Sequence, residues 1–231
     1  MEKKDFLNTL KKLREESKKR NFSQSVDLII NLKGIDLKKE EHKVDQFLTL
    51  PHERGKAVKV CAFVDKQLIK NAREDCDLAI LNEDFPEYAG NKKTIKKLAR
   101  DYSYFIAQVN IMSEVAKTFG KIIGTRGKMP NPKAGCVVPG TADLKPLVLK
   151  LKKLVRITTK AEPTIKTRLG LETMKDEELA DNALYIYSHL IDTLPQGKHN
   201  IKNIFLKFTM SKPHEIKESE NESTKLEKAR S

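Results

Sequence analysis

Between residues 56 and 123 the sequence alternates, three times over, a short apolar run with a segment of helical period. Lys56-Ala-Val-Lys-Val-Cys-Ala-Phe-Val64 precedes a helix pattern over 65–75, Leu78-Ala-Ile-Leu81 one over 92–100, and Tyr104-Phe-Ile-Ala-Gln-Val109 one over 112–123. Such runs lack the polar alternation of a half-exposed sheet, so both of their faces must be covered. Strand–helix–strand repetition supplies the cover as crossover helices and predicts a parallel, Rossmann-like sheet in a three-layer α/β arrangement. A further helix pattern over 144–154 closes this section.

The flanks follow a different rule. Phe6, Leu10 and Leu13 recur at helical spacing between charges, which predicts an amphipathic helix over 3–19. In Ser25-Val-Asp-Leu-Ile-Ile-Asn-Leu32, Val26, Leu28, Ile30 and Leu32 share one face, as in a half-buried strand. Strands are also predicted over 44–50, stopped by Pro51, over 155–158 and over 201–210. Leu179, Ala183, Ile186, Tyr187, Leu190 and Ile191 mark one face of another helix. The expectation is a discontinuous α+β domain from 1–53 and 155–213, interrupted by an inserted α/β domain over 54–154. Two chain crossings join them and form a natural hinge. Residues 214–231 are expected to be a charged, flexible tail, because apolar residues are scarce there. From Lys212 onward five Lys and Arg are balanced by five Glu, so this end makes a poor polyanion clamp.

Charge narrows the class of partner. The 231-residue chain carries a formal net charge of +13. Residues 91–168 alone hold eighteen Lys and Arg against four acids. Solubility does not require such concentration, whereas a phosphate backbone rewards it through counterion release. No uninterrupted apolar run reaches the length of a membrane span, and the N-terminus lacks a signal peptide's apolar core, so a cytoplasmic protein is expected.

Motifs for chemistry are thin. Cys61, Cys76 and Cys136 are widely spaced, and His42, His52, His189, His199 and His214 show no metal-ligand spacing. Neither a nucleophile elbow nor a Gly-x-Gly-x-x-Gly fingerprint occurs, which weighs against a nucleotide-using enzyme despite the parallel sheet. We expect no catalytic residues, metal or cofactor. Gly120-Lys-Ile-Ile-Gly-Thr-Arg-Gly-Lys128 fails the P-loop spacing but contains the Gly-x-x-Gly of single-strand-binding KH domains. Met129-Pro-Asn-Pro132 follows, and two prolines oppose the second helix that a KH loop needs. The alternatives are an exposed basic loop or one whose Lys121, Arg126, Lys128 and Lys133 hold backbone phosphates.

Several segments in order then become specific. Leu48-Thr-Leu-Pro-His52 with Gly55-Lys56, Gly124-Thr-Arg-Gly-Lys-Met-Pro-Asn-Pro-Lys-Ala-Gly135, and Thr209-Met-Ser-Lys-Pro213 resemble the L-one family of large-ribosomal-subunit proteins. Asn21-Phe22, Leu179-Ala-Asp-Asn182 and Lys198-His-Asn-Ile-Lys202 support the match, which spans about 6–213 and is similar to the archaeal and eukaryotic branch. The resemblance implies the same interrupted two-domain plan. It implies a structural role in the mobile stalk, binding large-subunit rRNA beside other large-subunit components and assisting movement and release of exit-site tRNA. It also implies a translational repressor role on the protein's own mRNA. Carried over, rRNA-facing residues are Phe22, Ser25 and Asp27 of the first strand, Thr209, Met210 and Ser211 of the later turn, and Gly170. The competing expectation is that Phe22 belongs to the core and Thr209 merely finishes a strand. Ser211 stands where the family carries Gly, so it either accepts a left-handed conformation at a cost or adds a hydroxyl contact.

Overall fold

A computed structural model describes residues 1–39, 42–159 and 161–217. The chain divides into two compact units, Met1–Lys56 with Val155–Ser231, and Ala57–Leu154.

The first unit is built on an antiparallel sheet. Its strands β1 (Ser25–Leu32), β8 (Thr164–Leu171), β9 (Ile201–Phe208) and β10 (His214–Glu215) lie in the order β10-β9-β1-β8. Alternation along β1 turns Val26, Leu28 and Ile30 inward, where they meet Phe6, Leu10 and Leu13 of α1 (Lys3–Glu16) and Leu179, Ala183, Ile186 and Leu190 of α7 (Asp176–Thr193). Both long helices therefore cover one face of the sheet. The opposite face keeps the partly exposed Asp27, Ile29 and Asn31, with Asn31 donating to Asn203 Oδ1 at 2.8 Å. A separate ribbon pairs β2 (Asp45–Thr49) with β7 (Leu154–Thr158). Arg156 holds it by a bidentate pair to Asp45, at 2.8 and 3.0 Å, while lying over the Phe47 ring.

Helix α1 stops at Glu16 rather than at 19, because the inward apolar period ends at Leu13 and Lys18-Lys19-Arg20 has nothing to bury. Arg14 anchors this end. It donates to Asp176 Oδ1 at 2.7 Å and to the carbonyls of Glu172 and Met174 at 2.7 and 3.0 Å. The tail expected from 214 starts later. His214–Glu215 pair with β9, and Ile216 is buried in the same core; residues 218–231 of that expected tail lie outside the described residues. β8 has no counterpart in the periodicity. Ile165, Thr167 and Leu169 point inward and alternate with Lys166 and Arg168, but the polar Thr167 leaves only two apolar residues to mark the inward face.

The second unit is the parallel one. Strands β3 (Val60–Val64), β4 (Leu78–Leu81), β5 (Tyr104–Gln108) and β6 (Val137–Val138) run parallel in the order β4-β3-β5-β6, and α2 (Ile69–Asp75), α3 (Phe85–Ala89), α4 (Lys92–Asp101), α5 (Met112–Ile123) and α6 (Lys145–Lys153) complete the α/β architecture. All five residues of β3 are buried, as a central parallel strand requires. Its Phe63 ring sits among Phe85, Phe105 and Phe119, with centroids 5.8, 5.7 and 4.6 Å away. Among the described residues no helix is long and apolar enough to cross a membrane.

Candidate nucleic-acid interface

Antiparallel pairing brings the start of β1 beside the end of β9, with Val26 opposite Phe208. Residues separated by more than 180 positions thereby meet at one end of the sheet. The Ser25 N–H donates to Thr209 Oγ1 at 3.0 Å, and the Thr209 N–H donates to the Ser25 carbonyl at 3.1 Å. Ser25 Oγ donates to Asp27 Oδ1 at 3.1 Å and lies 3.0 Å from Thr209 Oγ1. A hydroxyl has one proton. Since that of Ser25 goes to Asp27, the proton between the two hydroxyls must come from Thr209. The relay runs Thr209 to Ser25 to Asp27. Neither hydroxyl has a proton left over, so a partner at this cluster has to donate.

Phe22 and Met210 flank the relay in sequence. They are 51% and 60% exposed, which rules out the core reading of Phe22. The Met210 N–H is held at 3.1 Å by Oε1 of Gln24, itself only 2% exposed and bonded through Nε2 to Glu172. Asp27 sits opposite Arg168 on β8 and Lys207 on β9, so cations border the carboxylate along both neighbouring strands.

Two carried-over residues have other work. Gly170 is buried, and a Cβ there would lie 2.5 Å from Met174 Sδ and 2.7 Å from Leu179 Cδ2. A side chain there would displace Met174 and Leu179, so glycine lets β8 lie close against them. Ser211 does not adopt a left-handed backbone, since no described non-glycine residue has positive φ. Its Oγ accepts the Phe208 N–H at 2.8 Å and donates to the Lys212 carbonyl at 3.0 Å, closing the turn that ends β9 at Phe208. The Ser211 hydroxyl thus spends its proton on closing the turn.

In the second unit the Gly124-Thr-Arg-Gly127 loop leads to a short 3-10 turn, Pro132–Ala134, and then to the two residues of β6. No second helix follows directly, so the KH reading fails. Lys121, Arg126 and Lys133 are exposed, but Lys128 is not a free cation. Its Nζ donates to the carbonyls of Ala99 and Tyr102, at 2.8 and 2.6 Å, at the end of α4. A cation there satisfies helix-terminal acceptors and complements the dipole. Lys128→Met should therefore cost about 1–3 kcal/mol in chemical denaturation while leaving the salt slope of RNA binding unchanged. A slope reduced by about 0.7–0.9 would instead mark a phosphate contact.

The residue motifs overlooked α4 itself. Lys92, Lys93, Lys96, Lys97 and Arg100 are all exposed, Arg100 pairs with Asp101, and the first turn holds no acid. Two lysines at a helix N-terminus oppose the macrodipole, and like charges four apart repel. The regional charge count contained this signal; helical phase would have located it.

The thiols are unsuited to nucleophilic work. Burial is the main cause that raises all three, pushing Cys76 and Cys136 up to about 11. Among the described residues no group of three or more His, Cys, Asp or Glu is placed to hold a metal ion.

The model of the ribosomal protein L1p/L10e family matches residues 13–212. Proteins described as large ribosomal subunit protein uL1 are similar over nearly the whole chain. That of Methanothermococcus thermolithotrophicus is 39% identical over 216 residues, covering 94% of this chain and 99% of its own. That of Methanococcus maripaludis is 40% identical over 210 residues, covering 91% and 96%. A third, from Methanothermobacter thermautotrophicus, is 36% identical over 207 residues, covering 89% and 95%.

Proposed function

The chain belongs to the ribosomal protein L1p/L10e family, and we propose that it is a structural protein of the large ribosomal subunit, acting in the cytoplasm on the ribosome, that grips rRNA with the end of its antiparallel sheet. The relay Thr209–Ser25–Asp27 carries this reading. A cluster that presents acceptors suits a ribose 2′-OH or a base amino group, which a row of cations cannot read. Phe22 and Met210 offer exposed apolar faces for sugars or bases on either side of it. An mRNA segment of the same shape would meet the same groups, so repression of the protein's own message would use this site too.

The basic second unit has a separate task in this reading. The α4 cations with Lys121, Arg126 and Lys133 would hold the phosphates of a deacylated tRNA, or of stalk rRNA, weakly and reversibly. Such binding is non-specific and salt-sensitive, which fits a ligand that must be moved and released.

Footprinting the full chain on a large-subunit rRNA fragment tests the grip, and the salt dependence of binding tests the division of labour. Replacing Lys92, Lys93, Lys96 and Lys97 with Gln should lower the slope of log K against log salt for tRNA by about 0.7–0.9 for each phosphate no longer neutralised. The same variant should leave the rRNA footprint intact. An unchanged tRNA slope would remove α4 from the binding surface, and a missing footprint would move the rRNA grip to the second unit.

A further inference from the structure

The parallel sheet ends on an open strand. β4 pairs with β3 on one side, and among the described residues the order β4-β3-β5-β6 puts no strand on its other side. Its four residues, Leu78-Ala-Ile-Leu81, are all apolar, and only Ile80 is buried. An edge strand presents unpaired N–H and C=O groups, and proteins commonly guard such edges with Lys, Pro or a bulge. β4 carries neither Lys nor Pro, and its register with β3 is unbroken. Its brevity limits spontaneous pairing, yet leaves a ladder that a short extended peptide can continue.

The charge around this edge is opposite in sign to that of the whole chain. Residues 74–88 hold Glu74, Asp75, Asp77, Glu83, Asp84 and Glu87 and no Lys or Arg, in a chain of net charge +13. Two of these carboxylates have work. Asp77 Oδ2 accepts the Val60 N–H at 2.8 Å, and Glu83 pairs with Lys66. Glu74 and Asp75 precede β4, and Asp84 and Glu87 follow it; Asp75 is partly exposed and the other three are exposed. Glu74 and Asp75 also close α2, where the helix dipole disfavours anions. Burial, the main cause, raises both the Cys76 thiol and the Tyr88 hydroxyl. Asp75 and Asp77 push the first further, and Cys61, Asp84 and Glu87 the second. A negative field therefore acts at both ends of the strand. It repels phosphates, so this edge is no RNA surface. A fitting partner brings positive charge together with an unpaired backbone edge, and an extended polypeptide rich in Lys and Arg has both.

We propose that β4 is a docking edge for an extended, Lys- and Arg-rich segment of another protein, which adds a strand to the parallel sheet and sets its cations against Glu74 and Asp75 at one end and Asp84 and Glu87 at the other. Main-chain hydrogen bonds supply the affinity, and the carboxylates select a basic sequence. The assignment is independent of the RNA-binding reading of the antiparallel sheet.

The test uses the full chain, labelled with nitrogen-15, titrated with a capped peptide of alternating Lys and Val. Saturable shifts of the Leu78, Ala79, Ile80 and Leu81 amides are expected, with slowed hydrogen exchange along the open edge. A peptide with Glu in place of Lys should not bind. Methylating the peptide's backbone nitrogens along its pairing edge keeps every charge but removes hydrogen bonds, and should weaken binding by about tenfold or more. Asp84→Asn with Glu87→Gln, both at exposed positions, should weaken the unmodified peptide about two- to tenfold at low salt. The same variant should bind an rRNA fragment as the parent chain does. Equal binding of the methylated peptide would reduce the contact to charge attraction and overturn the added strand. Shifts confined to other residues, or no shifts, would overturn the docking edge itself. Shifts at residues 78–81 that grow with protein concentration in the absence of peptide, with a heavier species in sedimentation, would assign the edge to a second copy of this chain and overturn the partner.

Discussion

Replacing Phe22 and Met210 together with Ala is expected to weaken rRNA-fragment binding by about tenfold or more, without changing its salt slope. Stacking of a base on an aromatic ring such as that of Phe22 is worth ~1–3 kcal/mol, Met210 adds the burial of its apolar side chain, and every 1.4 kcal/mol is tenfold. Both side chains are more than half exposed, so truncation removes little from the core and the fold should survive. The unchanged slope is the discriminating part, because neither residue neutralises a phosphate. Filter binding across a salt series measures both quantities. Parallel lines displaced by the predicted amount support the sheet-end interface. Coincident lines would show that these apolar faces touch no RNA.

The second large effect is on stability. Phe63→Ala should cost about 3–5 kcal/mol, the usual range for removing a buried aromatic ring. Phe63 is fully buried, and the rings of Phe85, Phe105 and Phe119 surround it, so the site has little freedom to collapse into the void. The destabilisation belongs to one unit. The core around Phe63 shares no residue with the core under the relay, which is built from α1, β1, β8, α7 and β9. Denaturation followed by circular dichroism should show an early transition absent from the parent chain. The rRNA footprint should persist through that transition and disappear only with the second. A footprint that vanishes in the first transition would place the grip in the parallel unit.

Elements with strong periodicity were legible in advance. β1 and α5 fall at the residues their patterns predicted, because each buries one continuous apolar face. β8 was not, since the polar Thr167 at an inward position leaves only Ile165 and Leu169 to mark an apolar face, and its pairing with β1 is what reveals the strand. The candidate site divides in the same way. Phe22, Ser25, Asp27, Thr209 and Met210 do gather at one end of the sheet. Ser211 and Gly170 lie at the same end, and they and Lys128 each have a local task in the fold that residue type could not reveal.

The sequence by itself determined the α/β class, the alternating apolar code of the parallel unit, and the excess of positive charge over 91–168. These follow from periodicity and composition, which are local properties of a chain. Only the tertiary structure decided which polar groups remain available to a partner. Lys128 is a cation by sequence and a helix-end clamp by contact; Ser17 is an ordinary serine by sequence, yet packing withdraws its hydroxyl from solvent with no hydrogen-bond partner among the described residues. The physical reason is that hydrogen bonds are consumed in pairs. Whether a donor or acceptor is left over depends on what folding brings against it, here across separations as long as that between Ser25 and Thr209.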